Sequence, residues 1–121
     1  MTDAASSDVL TNQVRELLKS VLRQADFPGS DELLRQASSV NVVGGPITML
    51  DLLVSNTLPA SAFADGPVPL SVWVSNAAGR LVGELLVWVG YGYLTGLEFA
   101  WWTDDPPDRL PTLDHLRVIR K

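Results

Sequence analysis

Between residues 68 and 102 the chain alternates apolar and other side chains through three strand-length runs separated by glycine-bearing turns. In 68–75, Val68, Leu70, Val72 and Val74 share one parity, and Ser71, Trp73 and Ser75 share the other. A period of two sends successive side chains to opposite faces of a strand, so this run fits a half-buried strand and not an amphipathic helix. Asn76-Ala77-Ala78-Gly79 turns the chain into 80–89, and Gly90-Tyr91-Gly92 turns it again into 93–102.

The turns predict a register. A two-residue loop at Ala77-Ala78 pairs Asn76 with Gly79, Val74 with Leu81 and Val72 with Gly83. A three-residue loop at 90–92 pairs Val89 with Tyr93 and Leu85 with Leu97. One core layer then runs through Leu81, Leu85, Val87, Val89, Leu97, Phe99 and Trp101. The opposite face carries Ser71, Trp73, Glu84, Leu86, Trp88, Leu94, Glu98, Ala100 and Trp102, with Glu84 directly across from Glu98. Exposed apolar patches of this kind mark interaction sites, and tryptophan is enriched in binding hot spots. Either a loop or the C-terminal tail folds over the tryptophans, or the face stays open to a partner; a homodimer is the commonest open-face outcome.

Ahead of the sheet lie two helical patterns. In 9–25 the residues Leu10, Val14, Leu17, Leu18, Val21, Leu22 and Ala25 form one stripe, with Ser7 or Asp8 as N-cap and Phe27-Pro28-Gly29 as the stop. A shorter helix starts at Ser30, with Asp31 and Glu32 in its first turn and Leu33, Leu34 and Ala37 on its apolar side. Residues 40–43 and 47–54 read as a hairpin around Gly44-Gly45-Pro46. Residues 56–67 read as a loop whose Phe63 returns to the core. Pro106, Pro107 and Pro111 make the tail extended, with a short strand over 116–119. The expected fold is α+β: two N-terminal helices on one face of an antiparallel β-meander of about five strands. One domain covers residues 1–121: a flexible N-terminus at 1–8, a helical part at 9–38, the sheet at 39–102 and the Pro-rich tail at 103–121.

Composition narrows the functions. The chain has no cysteine, which removes thiolate metal sites, disulfides and a cysteine nucleophile. Its one histidine, His115, removes multi-histidine metal sites. With a net charge of -5 the chain repels phosphate backbones, so nucleic acid is not an expected partner and a basic protein is easier to accommodate. No apolar run approaches the length of a membrane span, and no signal peptide is visible, so a cytoplasmic location is expected.

The chemistry-bearing residues are few. Glu84 opposite Glu98 is the raw material of acid–base catalysis, because paired carboxylates raise one pKa. The plainer reading pairs Glu84 with Arg80 or a cross-sheet base, and gives Glu98 the N–H groups of neighbouring indoles. Asp51 interrupts an apolar strand and is expected to be exposed or paired with an arginine. His115 beside Asp114 lacks the Gly-x-Ser-x-Gly elbow that a hydrolase triad needs. Gly44-Gly45 is too short a phosphate cradle. Asp104, Asp105 and Asp108 are split by two prolines and lack calcium-loop spacing.

The stretch 92–107, Gly-Tyr-Leu-Thr-Gly-Leu-Glu-Phe-Ala-Trp-Trp-Thr-Asp-Asp-Pro-Pro, resembles the C-terminal signature of a group of small actinobacterial proteins of unknown function. The likeness extends to 40–52, where Val-x-Val-x-Gly precedes Thr-x-x-Asp-Leu, and covers about half the chain; the helices add nothing to it. Two lysines against seven arginines suit a GC-rich genome. Some proteins of this size and build resemble immunity proteins of polymorphic toxin systems, which are acidic and act by binding. The resemblance implies a binding class and no site residues.

Two functions therefore stand at this point. One is a non-catalytic interaction module, immunity- or antitoxin-like, that binds a partner or itself through Trp73, Glu84, Trp88, Glu98 and Trp102. The other is a small enzyme or ligand carrier that uses the Glu84/Glu98 pair. No catalytic residue, metal or cofactor is assigned.

Overall fold

Burial of the two predicted stripes organises the protein. The computed structural model describes residues 2–120, with side chains from residue 8 onward; Met1 and Lys121 lie outside the described residues. Helix α1 (Thr2–Leu22) presents Val14, Leu17, Leu18, Val21 and Leu22 to the core, all essentially inaccessible to solvent. It begins ahead of the start expected at residue 9, so Ser7 and Asp8 lie inside it rather than at its cap. Helix α2 (Ser30–Ala37) follows Gly29, whose φ of 95° suits glycine. A Cβ at Gly29 would also strike the Ser61 hydroxyl and the Phe63 N–H.

The strands are β1 (Asn41–Gly44), β2 (Met49–Leu53), β3 (Gly66–Pro67), β4 (Leu70–Ser75), β5 (Leu81–Gly90), β6 (Tyr93–Trp101) and β7 (Leu116–Arg120). Among the described residues they form one antiparallel sheet of seven strands, ordered β1-β2-β6-β5-β4-β7, with β3 also paired to β5. The fold is α+β with its helices N-terminal, and the strands are more numerous than expected. Strands β4 to β6 form the meander. The β1–β2 hairpin joins it beside β6, and β7 closes the other side on β4. No helix among the described residues is long and apolar enough to cross a membrane.

Both inner hairpins depart from the expected register, for one physical reason. The β4–β5 turn spans Asn76–Arg80: the Asn76 N–H donates to Arg80 O, Gly79 adopts a φ of 82°, and Asn76 Oδ1 accepts from the Ala78 and Arg80 N–H groups. Ser75 then faces Leu81, a bulge intervenes, and Val74 pairs with Gly83 and Val72 with Leu85. The β5–β6 turn has two residues, Tyr91 and Gly92, with φ of 54° and 84°, the all-positive combination of a type I′ turn. Val89 therefore meets Leu94, a bulge follows, and Trp88 pairs with Gly96. Each bulge completes a two-residue slip, so the inside–outside parity of most of the sheet survives.

The local exceptions follow from the bulges for the two leucines and from its place at the strand end for Trp101. Leu81, expected in the core, lies with Ser75 on the outer face and is 54% exposed. Leu94, expected outside, is buried in the core. Trp101, expected in the core layer, sits opposite Gly83 at the strand end and is 40% exposed.

One fully buried amide secures the second turn. Gln36 Nε2 donates to the carbonyls of Pro59 (3.1 Å) and Gly92 (2.9 Å), while its Oε1 accepts from the Leu94 N–H (3.0 Å). Phe63 returns to the core as expected and meets Phe27 edge-on, with ring centroids 5.5 Å apart. The tail passes on the helix side: Leu110 belongs to the core, and residues 110–113 face Val9, Gln13 and Leu17 of α1 across a groove of about 490 Å³.

Candidate functional site

Because both helices and the returning tail lie on one side, the outer face of the sheet has no covering layer among the described residues. Of the two alternatives for the tryptophans, the tail does not supply a cover: it takes the helix side, where Leu110 joins the core. Cross-strand pairing arranges this face in rows. One row reads Arg117, Trp73, Glu84, Ala100 across β7, β4, β5 and β6. The next reads Leu86, Glu98, Met49 across β5, β6 and β2, and a third reads Pro67, Trp88, Gly96, Asp51.

The face is aromatic at two places. Trp73 and Trp102 pack at 70° with centroids 5.5 Å apart, the edge-to-face arrangement that aromatic quadrupoles favour. They stand on β4 and just past the end of β6, so the rings meet above β5. Trp88 leans beside Gly96, where a Cβ would come within 3.5 Å of the Trp88 Cβ and 3.3 Å of the Met49 methyl. The Trp88 Nε1–H donates to Glu98 Oε1 at 3.0 Å, as the indole reading of Glu98 anticipates. Trp73 is different: its Nε1 is buried, and it has no hydrogen-bond partner among the described residues.

All five predicted residues, Trp73, Glu84, Trp88, Glu98 and Trp102, are thus brought to one face, but the two glutamates are not opposite each other. Ala100 faces Glu84 and Leu86 faces Glu98. The carboxylates are diagonal neighbours, about 7–8 Å apart at Cα, instead of the direct pair that acid–base chemistry would use. Neither forms an ion pair among the described residues, so the expected partnership of Glu84 with Arg80 is absent there.

Residues not foreseen at this site enlarge it. Met49, Leu53, Leu81 and Ile119 are all exposed large apolar residues of the outer face, and Arg117 sits at its β7 margin. For Met49, Leu53, Ile119 and Arg117 the signal was parity within β2 and β7, whose registers against the meander no turn defines, whereas Leu81 is turned outward by the β4–β5 bulge. Asp51 is exposed on the same face, opposite Gly96.

The remaining candidates assemble no chemistry. The Thr112 hydroxyl lies 2.6 Å from Asp114 Oδ1 and 3.3 Å from His115 Nδ1, and its hydrogen bond holds the Asp114 carboxyl below its ordinary pKa. The Ser75 hydroxyl donates to the His115 main-chain carbonyl and not to the imidazole. No group of three or more potential metal-ligating side chains occurs among the described residues, Asp104, Asp105 and Asp108 included. In comparisons with known proteins, the chain matches no family model, no curated protein and no solved structure.

Proposed function

We propose that this chain is a non-catalytic, cytoplasmic protein-interaction module that binds a basic protein through the outer sheet face, with an immunity- or antitoxin-like role as its sharpest form. The observation that carries this reading is the path of the tail on the helix side, which leaves Trp102 exposed and Trp73 and Trp88 half-buried among their neighbours on the sheet. A sheet this wide spans about 24 Å between its outermost strands, at roughly 4.8 Å per step. That is room for an interface, and Met49, Leu53, Leu81, Trp102 and Ile119 are all exposed on it.

Charge selects the occupant. Glu84, Glu98 and Asp51 stand on the face, with Arg117 at its margin. Stacking two copies would bring both sets of carboxylates together with little to offset them, whereas a basic surface complements them. The net charge of -5 favours the same encounter over longer range. Burial of indole surface supplies affinity, and the carboxylates supply selectivity.

The test is solution mass across a concentration series, with acrylamide quenching of tryptophan emission recorded on the same samples. The expected result is a monomer throughout, with a readily quenched component that does not change with concentration. A dimer whose formation protects the tryptophans would overturn the foreign-partner reading and give the face to a second copy.

A further inference from the structure

Resting on that reading of the outer face, we infer that its anchor point is a cation-receiving corner made by Trp73, Trp102 and Glu84, which takes an arginine side chain from the partner. The argument begins with Glu84. It sits on β5 directly opposite Trp73, on the strand over which the Trp73 and Trp102 indoles meet. Its neighbour on the other side, Ala100, offers only a methyl group. Among the described residues its carboxylate has no hydrogen bond and no ion pair, while Glu98 already accepts the Trp88 indole. Trp102, two residues beyond Ala100 and therefore a diagonal neighbour of Glu84, is 52% exposed.

Two indoles at a steep angle with a free carboxylate between their strands suit a planar cation. A guanidinium stacks on an aromatic face and donates a fork of N–H bonds to a carboxylate, which an ammonium does less well. The chain's own nearest candidate does not fill the corner. Arg117 faces Trp73 from β7, on the far side of β4 from Glu84, and makes no ion pair with Glu84. Its positive charge at the corner's edge opposes an incoming cation, and the Glu84 carboxylate stays free for the partner.

The experiment follows the four indole N–H resonances of the ¹⁵N-labelled 121-residue chain during titration with nona-arginine and nona-lysine peptides at physiological salt. Nona-arginine is expected to move the Trp73 and Trp102 signals saturably, and nona-lysine to bind several-fold more weakly. Glu84→Gln should weaken nona-arginine binding about tenfold, as expected when a charge-assisted hydrogen bond is lost. Glu16→Gln removes the same charge from exposed helix surface and should change it less than about twofold. Arg117→Gln should tighten it.

Equal weakening by Glu84→Gln and Glu16→Gln would reduce the effect to net charge and overturn the corner. Shifts confined to Trp88 would also overturn the corner, yet leave the outer face as a docking surface for basic partners. If neither cationic peptide moves any indole signal, the corner and the basic-partner reading fail together.

Discussion

The two faces of this sheet share the same strands and obey opposite rules. On the helix side, Leu85, Val87, Val89, Leu97 and Phe99 are buried, and the buried amide of Gln36 has partners for both its oxygen and its nitrogen. On the outer side, apolar and acidic residues are interleaved, Glu84 has no partner among the described residues, and the buried Trp73 indole N–H is left without an acceptor. Folding accounts for the first face completely, since burying apolar area and satisfying polar groups is what a core requires. It does not account for the second. Large apolar side chains on an uncovered face add little to stability, and carboxylates among them add less, which is the contrast that the proposed binding role addresses.

The largest expected effect tests that contrast within two adjacent residues. Leu85 and Leu86 differ only in the face they occupy. Leu85→Ala should destabilise the protein by about 3 kcal/mol, the usual cost of emptying a buried leucine site. Leu86→Ala should cost less than about 1 kcal/mol, because its side chain is only half-buried and the site stays open to water. Urea unfolding of the two variants measures both. Similar losses would mean that the outer face is packed against something in the free protein, and the comparison would break.

A smaller effect sharpens the polar half of the contrast. Gln36→Ala strands the buried Leu94 N–H, while the Gly92 carbonyl keeps a second donor in the Ser61 N–H. The expected cost is about 2 kcal/mol, within the range for an unsatisfied buried group. Hydrogen exchange at Leu94 should accelerate with it. A variant as stable as the parent would show that the amide is incidental to the β5–β6 turn.

These two tests also mark where the sequence could be read. The parity of β4, β5 and β6 was legible because three alternating runs agree, and a slip of two leaves parity unchanged. The five residues of the candidate site therefore came to one face even though both registers were wrong. The bulges were not legible: nothing in Leu81-Val82 or Leu94-Thr95 distinguishes an unpaired residue from a paired one, and each bulge moved a leucine to the other face. Gln36 was hidden because a helical glutamine reads as solvated. Its position three after Leu33 and one before Ala37, on the buried stripe, was the available signal. The tail's route rested on Leu110 alone, a single apolar residue between Arg109 and Pro111, too little to indicate which side of the sheet it would cover.

The smallest expected effect concerns the turn that joins β5 to β6 and so belongs to neither face. Tyr91 has a φ of 54°, a conformation that costs a residue with a Cβ, and the residue is 91% exposed, so packing returns almost nothing. The Asp65 carboxylate accepts its N–H, a bond that any residue but proline would make. Asparagine adopts this conformation readily and with Gly92 forms the preferred type I′ sequence. Tyr91→Asn should therefore stabilise the protein by about 0.5–1 kcal/mol, a rise of about 2–6 °C in Tm for a domain of this size. Such a gain, with Leu85→Ala and Leu86→Ala keeping their unequal costs in the stabilised background, would show that the contrast between the faces is independent of the turn. A loss of stability would mean that the tyrosine ring holds part of the fold in place, and the loop around Asp65 would then have to be counted with the closed face.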